Sequence, residues 1–259
     1  MSQDLRGRWA VVTGASSGLG DAFARQLAQR GLNILVVARR RDRLEALAAA
    51  LRAEHKVEVE VLDQDLGAPG AAEKVHAATE GRVVEVLVNN AGYGVQGPFR
   101  ERDWAQHEAM IRVDILALTE LTWRFARDMV AQGSGRILQV ASIGAAQPTP
   151  WFAAYGAAKA YVLSFSEALD YELRGTGVTV TTLSPGATDT EFATRAGTEF
   201  KGLARSMLMT PAEVAAIGLE AAFRGRRSVV PGWLNTFNTW LQRVIPRRLA
   251  TWIAARVLE

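Results

Sequence analysis

The chain has 259 residues, is 49% hydrophobic and carries a formal net charge of +3, which is long for one average domain but ordinary for a single α/β unit with a sizeable core. Without cysteine it can form no disulfide, thiolate metal site or cysteine nucleophile, and its three histidines (His55, His76 and His107) fall in no ligand spacing, so no metal is expected. No run reaches the roughly 18 apolar residues of a membrane span, and the N-terminus lacks the apolar stretch of a signal peptide, so a soluble cytoplasmic protein is the expectation.

In chain order, Arg8 to Thr13 reads as a short buried strand, followed by glycines and a helix with Phe23, Ala24, Leu27 and Ala28 on one side. Residues 32–38 form a second strand, and a charged helix follows with Leu44, Leu47 and Leu51 inward. Alternation over 57–62 predicts a third strand near an edge. A helix over 69–80 and a strand over 83–90 come next, then one long helix from Glu101 to Ala131. Residues 136–142 are the next strand, and a helix carrying Tyr155 runs to about Arg174. Residues 178–184 form the sixth strand, Thr210-Pro211 starts a helix with Thr as N-cap, and 227–232 are a last short strand.

Strands alternating with helices predict βαβ units, right-handed crossovers and a doubly wound parallel Rossmann-type sheet of about seven strands, with helices on both faces. We take 1–232 as one dinucleotide-binding and catalytic domain, and 233–259 as an amphipathic helical extension of it. Ligands in such folds bind at the carboxyl ends of the strands. Thr13 to Gly20 (TGASSGLG) joins the first strand to its helix, where Gly14 permits a tight turn and Gly18 and Gly20 admit close backbone approach. The helix N-terminus then offers N–H groups to a pyrophosphate. An acidic residue at the tip of the second strand would accept a hydrogen bond from the ribose 2′-hydroxyl of NAD. This chain has Ala38-Arg39-Arg40-Arg41 there, and guanidinium groups suit the 2′-phosphate of NADP.

Tyr155 and Lys159 are four residues apart, so on a helix they share a face, with Ser142 at the end of the preceding strand. A phenol has an unperturbed pKa of about 10, and a neighbouring ammonium lowers it toward working pH.

Thr13-Gly14-x-x-x-Gly18-x-Gly20, Asn89-Asn90-Ala91-Gly92, Ser142, Tyr155-x-x-x-Lys159 and Pro185-Gly186 together resemble the short-chain dehydrogenase/reductase family over about residues 8–232. The resemblance implies hydride transfer to or from NADP(H), with Tyr155 as general acid/base. Lys159 would lower its pKa and hold the nicotinamide ribose, and Ser142 would position the substrate oxygen. It further implies that Gly14, Ser16, Ser17, Gly18, Leu19 and Gly20 cradle the pyrophosphate, with Ser16, Arg39 and Arg40 at the 2′-phosphate. Asp65 and Leu66 would meet the adenine, Asn90, Ala91 and Gly92 would line the cofactor, and Pro185, Gly186, Thr188 and Thr190 would face the carboxamide. In one respect the chain departs from the family pattern: the long helix carries Asp114 where an Asn is common. Asp114 could keep the backbone role of that Asn, or its carboxylate could pair with Lys159 and raise the lysine pKa.

The substrate pocket is expected to use the loop after Ser142, the turn near Gly94 and a lid over 187–209. Ile143, Trp151, Phe152, Phe192, Phe200, Leu203 and Met207 make that an apolar surface, suited to a hydrophobic carbonyl or alcohol. The seven arginines from Arg224 onward face one acid, Glu259. Tail residues Trp233, Phe237, Trp240, Leu241 and Val244 recur at helical spacing. The tail reads as packing over the pocket or a subunit interface, with peripheral membrane contact as the second reading. A homodimer or homotetramer is implied by the family, and nucleic-acid binding is not expected. The competing reading of the whole chain is a non-catalytic NADP(H)-binding sensor or regulatory protein.

Overall fold

The computed structural model describes residues 5–189, 191 and 208–258. Seven parallel strands form one sheet in the order β3-β2-β1-β4-β5-β6-β7. They are β1 (Trp9–Thr13), β2 (Asn33–Ala38), β3 (Val59–Asp63), β4 (Val84–Asn89), β5 (Gly135–Val140), β6 (Val178–Leu183) and β7 (Ser228–Val229). The strand order reverses between β1 and β4, which opens a crevice at the carboxyl ends of those two strands. β1, β2 and β4 are buried along their whole length, because helices cover both faces.

The helices among the described residues are α1 (Gly18–Gln29), α2 (Arg41–His55), α3 (Ala71–Ala77), α4 (Trp104–Ile111), α5 (Leu118–Gln132), α6 (Ala153–Glu172), α7 (Pro211–Phe223), α8 (Trp233–Leu241) and α9 (Arg247–Leu258). One core layer packs Phe23, Leu27, Leu44 and Leu51 of α1 and α2 with α7 residues against alternate strand positions. The other packs Leu121, Phe125 and Met129 of α5 against the opposite set, Val11, Leu35, Leu87 and Ile137. Thr210 starts α7 with a full capping box: it accepts the Glu213 N–H, and Glu213 reaches back to the Thr210 N–H.

Two elements differ from the sequence expectation. The single helix over 101–131 is not uniform: a 3₁₀ turn at Phe99–Glu101 precedes α4, and a π-helical segment, Arg112–Ala117, joins α4 to α5. A π turn accommodates an extra residue without breaking the helix, and such turns gather at functional sites; this one carries Asp114. The last strand is only Ser228–Val229, because Pro231 lacks the N–H for a ladder bond and Gly232 (φ 85°) turns the chain into α8.

Candidate active site

The β1–α1 turn is built by glycine. Gly14 has a φ of 68°, and a Cβ placed on Gly20 would lie 2.2 Å from the Gly14 carbonyl oxygen, so neither position tolerates a side chain. Asn90 locks the turn to β4, donating from Nδ2 to the Thr13 carbonyl at 2.8 Å, while the Thr13 hydroxyl accepts the N–H groups of Asn90 and Ala91. Ser17 at the N-cap of α1 makes no side-chain cap bond, which leaves first-turn N–H groups facing the crevice for an anion. The cradle fits a dinucleotide pyrophosphate.

At the tip of β2 the arginines divide. Arg39 is exposed, whereas Arg40 folds back over the turn, its guanidinium reaching Ser16 Oγ at 3.1 Å and Ser17 Oγ at 2.9 Å. The same group pairs with the Glu191 carboxylate at 2.9 Å, and Arg43 grips the other Glu191 oxygen. Hydrogen bonds from Arg43 and Arg40 pull the Glu191 carboxyl down to about 2. Of the two arginines expected at the 2′-phosphate, Arg40 lies against Ser16 and Ser17 and Arg39 is exposed. Neither Arg43 nor Glu191 was among the sequence-predicted residues: both are ordinary surface types, and Glu191 lies 148 residues from Arg43.

The reactive groups meet beyond the ends of β4 and β5. Ser142 caps a short 3₁₀ turn, accepting the Gly144 N–H at 3.1 Å, and its hydroxyl hydrogen-bonds the Tyr155 phenol. Tyr155 and Lys159 share the inner face of α6, with the Lys159 Nζ 5.7 Å from the centroid of the phenol ring. Lys159 also donates to the Val140 carbonyl at 3.2 Å. Its ammonium pairs with Asp114 at 3.2 Å, both side chains being almost wholly buried. The other Asp114 oxygen accepts the Tyr93 N–H at 3.1 Å. Of the two roles open to Asp114, its side chain takes the pairing role. A Cβ on Gly92 would fall 2.9 Å from Asp114 Oδ1 and 3.0 Å from Lys159 Nζ, so Gly92 is what lets the chain pass over the pair.

The electrostatics follow from burial. Loss of water pushes the Tyr155 phenol up; Lys159 and the Ser142 hydrogen bond pull it down; Asp114 adds to the rise, and the net direction is upward. For Lys159, burial acts downward but is outweighed by Asp114 and then Tyr155, so the ammonium is held charged. The Asp114 carboxyl is raised by burial, against the pull of Lys159 and the Tyr93 N–H.

The remaining predicted residues lie around this centre. Leu66 is buried, Asp65 is exposed, and one Asp65 oxygen accepts the Gly67 N–H at 2.9 Å. Leu19 packs against the core. The Pro185 carbonyl accepts the Ile143 N–H at 2.9 Å, tying the Pro185-Gly186 turn to the loop after Ser142. Thr188 donates to the Gly186 carbonyl at 3.1 Å. Thr190, Phe192, Phe200, Leu203 and Met207 lie outside the described residues. Trp151 holds a left-handed backbone (φ 67°), rare for a bulky residue and a sign of local strain, and its carbonyl accepts the Gly97 N–H at 2.7 Å. That bond joins two of the loops assigned to the substrate pocket.

A family model described as short chain dehydrogenase matches residues 8–200. A 7beta-hydroxysteroid dehydrogenase of Collinsella aerofaciens is 36% identical over 182 residues, 70% of this chain and 69% of that protein. Among solved structures, a short-chain dehydrogenase from Sphingobium yanoikuyae in complex with NADPH is 32% identical, with a TM-score of 0.82, over 93% of this chain and 97% of the other. A bulky-bulky ketone specific alcohol dehydrogenase from Comamonas testosteroni superposes with a TM-score of 0.79 at 28% identity, over 95% of this chain and 96% of that one. The chain belongs to the short-chain dehydrogenase family, and its nicotinamide-binding fold and carbonyl–alcohol chemistry are those of that family's oxidoreductases.

Proposed function

We propose that the protein is an NADP(H)-dependent reductase of a bulky, apolar carbonyl compound, with Tyr155 as the proton donor. The observation that carries this reading is the half-buried Ser142 and Tyr155 set against the buried Lys159–Asp114 pair, next to the glycine cradle. Gly14 to Gly20 and Asn90 to Gly92 would hold the dinucleotide, and Lys159 the nicotinamide ribose. A bound nicotinamide supplies or takes the hydride. The chain's own residues handle the proton and the geometry. Ser142 orients the substrate oxygen toward the phenol. Tyr155, with its pKa raised by burial, is protonated at neutral pH and donates to that oxygen as negative charge develops there. Lys159, held as an ammonium by Asp114, then stabilises the phenolate left behind. This electrostatic setting favours reduction near neutrality and oxidation of the alcohol at higher pH.

The preference for NADP over NAD rests on Arg40 and Arg43. They already grip one anion, the Glu191 carboxylate, beside Ser16 and Ser17, and the β2 tip itself, Ala38-Arg39-Arg40-Arg41, supplies no carboxylate for a ribose 2′-hydroxyl. The assignment of a bulky apolar substrate draws on the apolar loop residues Ile143, Trp151 and Phe152 and on relatives named for steroids and bulky ketones. The test is a panel of aromatic and steroidal ketones with NADPH and NADH, using Tyr155→Phe as the control.

A further inference from the structure

Helices α8 and α9 turn their most apolar stripes to solvent. Trp233, Phe237, Trp240 and Val244 recur every three or four residues, and they are 77%, 55%, 56% and 62% exposed. Among the α9 residues whose burial is described, the buried positions are the small Ala250 and Ala254, whereas Leu249, Trp252 and Ile253 are exposed. A helix that packed only on its own domain would bury the large residues and expose the small ones. Such surfaces mark a partner.

We infer that α8 and α9 form a docking surface for an anionic lipid bilayer. Arg243, Arg247, Arg248 and Arg256 are exposed among the apolar positions, and none makes an ion pair among the described residues. From Arg224 to Leu258 the sequence holds no acidic residue. In a symmetric contact between two copies the same patch would meet its own copy, and Glu259 is the single acidic side chain that either tail brings to its four arginines. Anionic headgroups answer them directly, while tryptophan and aliphatic side chains enter the boundary between headgroup and acyl chain. No helix among the described residues is long and apolar enough to cross a membrane, so the contact is peripheral. The root of α8 lies at the active site: a Cβ on Gly186 would come 2.4 Å from the Asn235 amide. On the function proposed above, docking therefore holds the pocket beside the phase in which an apolar carbonyl substrate dissolves.

The experiment is sedimentation of the full chain with phosphatidylcholine vesicles, with and without phosphatidylglycerol, at low and high salt. The expected result is binding to the phosphatidylglycerol vesicles that falls at high salt and on phosphatidylcholine alone. Arg247→Glu/Arg248→Glu and Trp240→Ala/Trp252→Ala should each weaken it roughly tenfold or more, with unchanged sedimentation velocity and unchanged NADPH turnover of a water-soluble ketone. If the wild-type chain stays in the supernatant, or if the charge-reversed variant pellets like wild type, the inference is overturned. A tryptophan variant that converts a larger species to monomer, without vesicle binding by the wild type, would assign the face to self-association instead. Because the ketone assay reads the catalytic site separately, failure of docking and failure of the proposed reaction are distinguishable.

Discussion

Asp114 Oδ2 stands 3.2 Å from Lys159 Nζ, out of water, at the π-helical segment that joins α4 to α5. The pair fixes the charge state of Lys159 and, through it, the field at Tyr155. Asp114 raises the pKa of both partners, so removing its charge has a definite sign. Asp114→Asn should move the pH at which alcohol oxidation rises toward lower pH, because the phenolate then forms more easily. The pH–rate profile of the variant checks this, and an unchanged profile would leave Asp114 with a backbone role alone.

The same pair bears on stability. Asp114→Ala leaves a buried ammonium facing the Val140 carbonyl and should cost about 3–5 kcal/mol, read as a lowered denaturant midpoint at unchanged m-value. Asp114→Asn, which keeps an acceptor for the Tyr93 N–H, should cost less.

Cofactor choice is expected to turn on the anion between Arg40 and Arg43. A 2′-phosphate would have to displace Glu191 from them, so Glu191→Gln should tighten NADPH binding by roughly twofold to fivefold, the scale of an exposed ion pair, and leave NADH unchanged. Arg40→Ala should weaken NADPH roughly tenfold to a hundredfold, with little effect on NADH. Fluorescence titration of both nucleotides gives the ratio directly.

The glycine cradle makes a steric prediction. Gly20→Ala places a methyl group 2.2 Å from the Gly14 carbonyl oxygen, and since that atom is backbone the turn itself must shift. We expect dinucleotide binding to fall by more than tenfold, with the far-UV circular dichroism spectrum retained.

Much of this architecture is legible in the sequence, for local reasons. The buried strands read as apolar runs because both faces are covered, and the four-residue spacing of Tyr155 and Lys159 puts them on one face of α6 without any knowledge of the rest. Features made by long-range contact are not legible. The π-helical segment at Arg112–Ala117 has no local signature, because it exists where the helix must bring Asp114 to Lys159 across the fold. Arg43 and Glu191 are ordinary surface residues until the chain brings them together. The tail's aromatic periodicity was visible, but only the structure puts Ala250 and Ala254 inside and Trp252 outside.

The most direct test of the central claim is NADPH oxidation by the wild-type protein and by Tyr155→Phe on the same bulky ketones. We predict turnover by the wild type, lowered about a hundredfold to ten-thousandfold by loss of the phenol hydroxyl, with NADPH affinity essentially retained. Tight NADPH binding without turnover on any ketone or alcohol, or turnover indifferent to Tyr155, would contradict the account and favour a nucleotide-binding sensor.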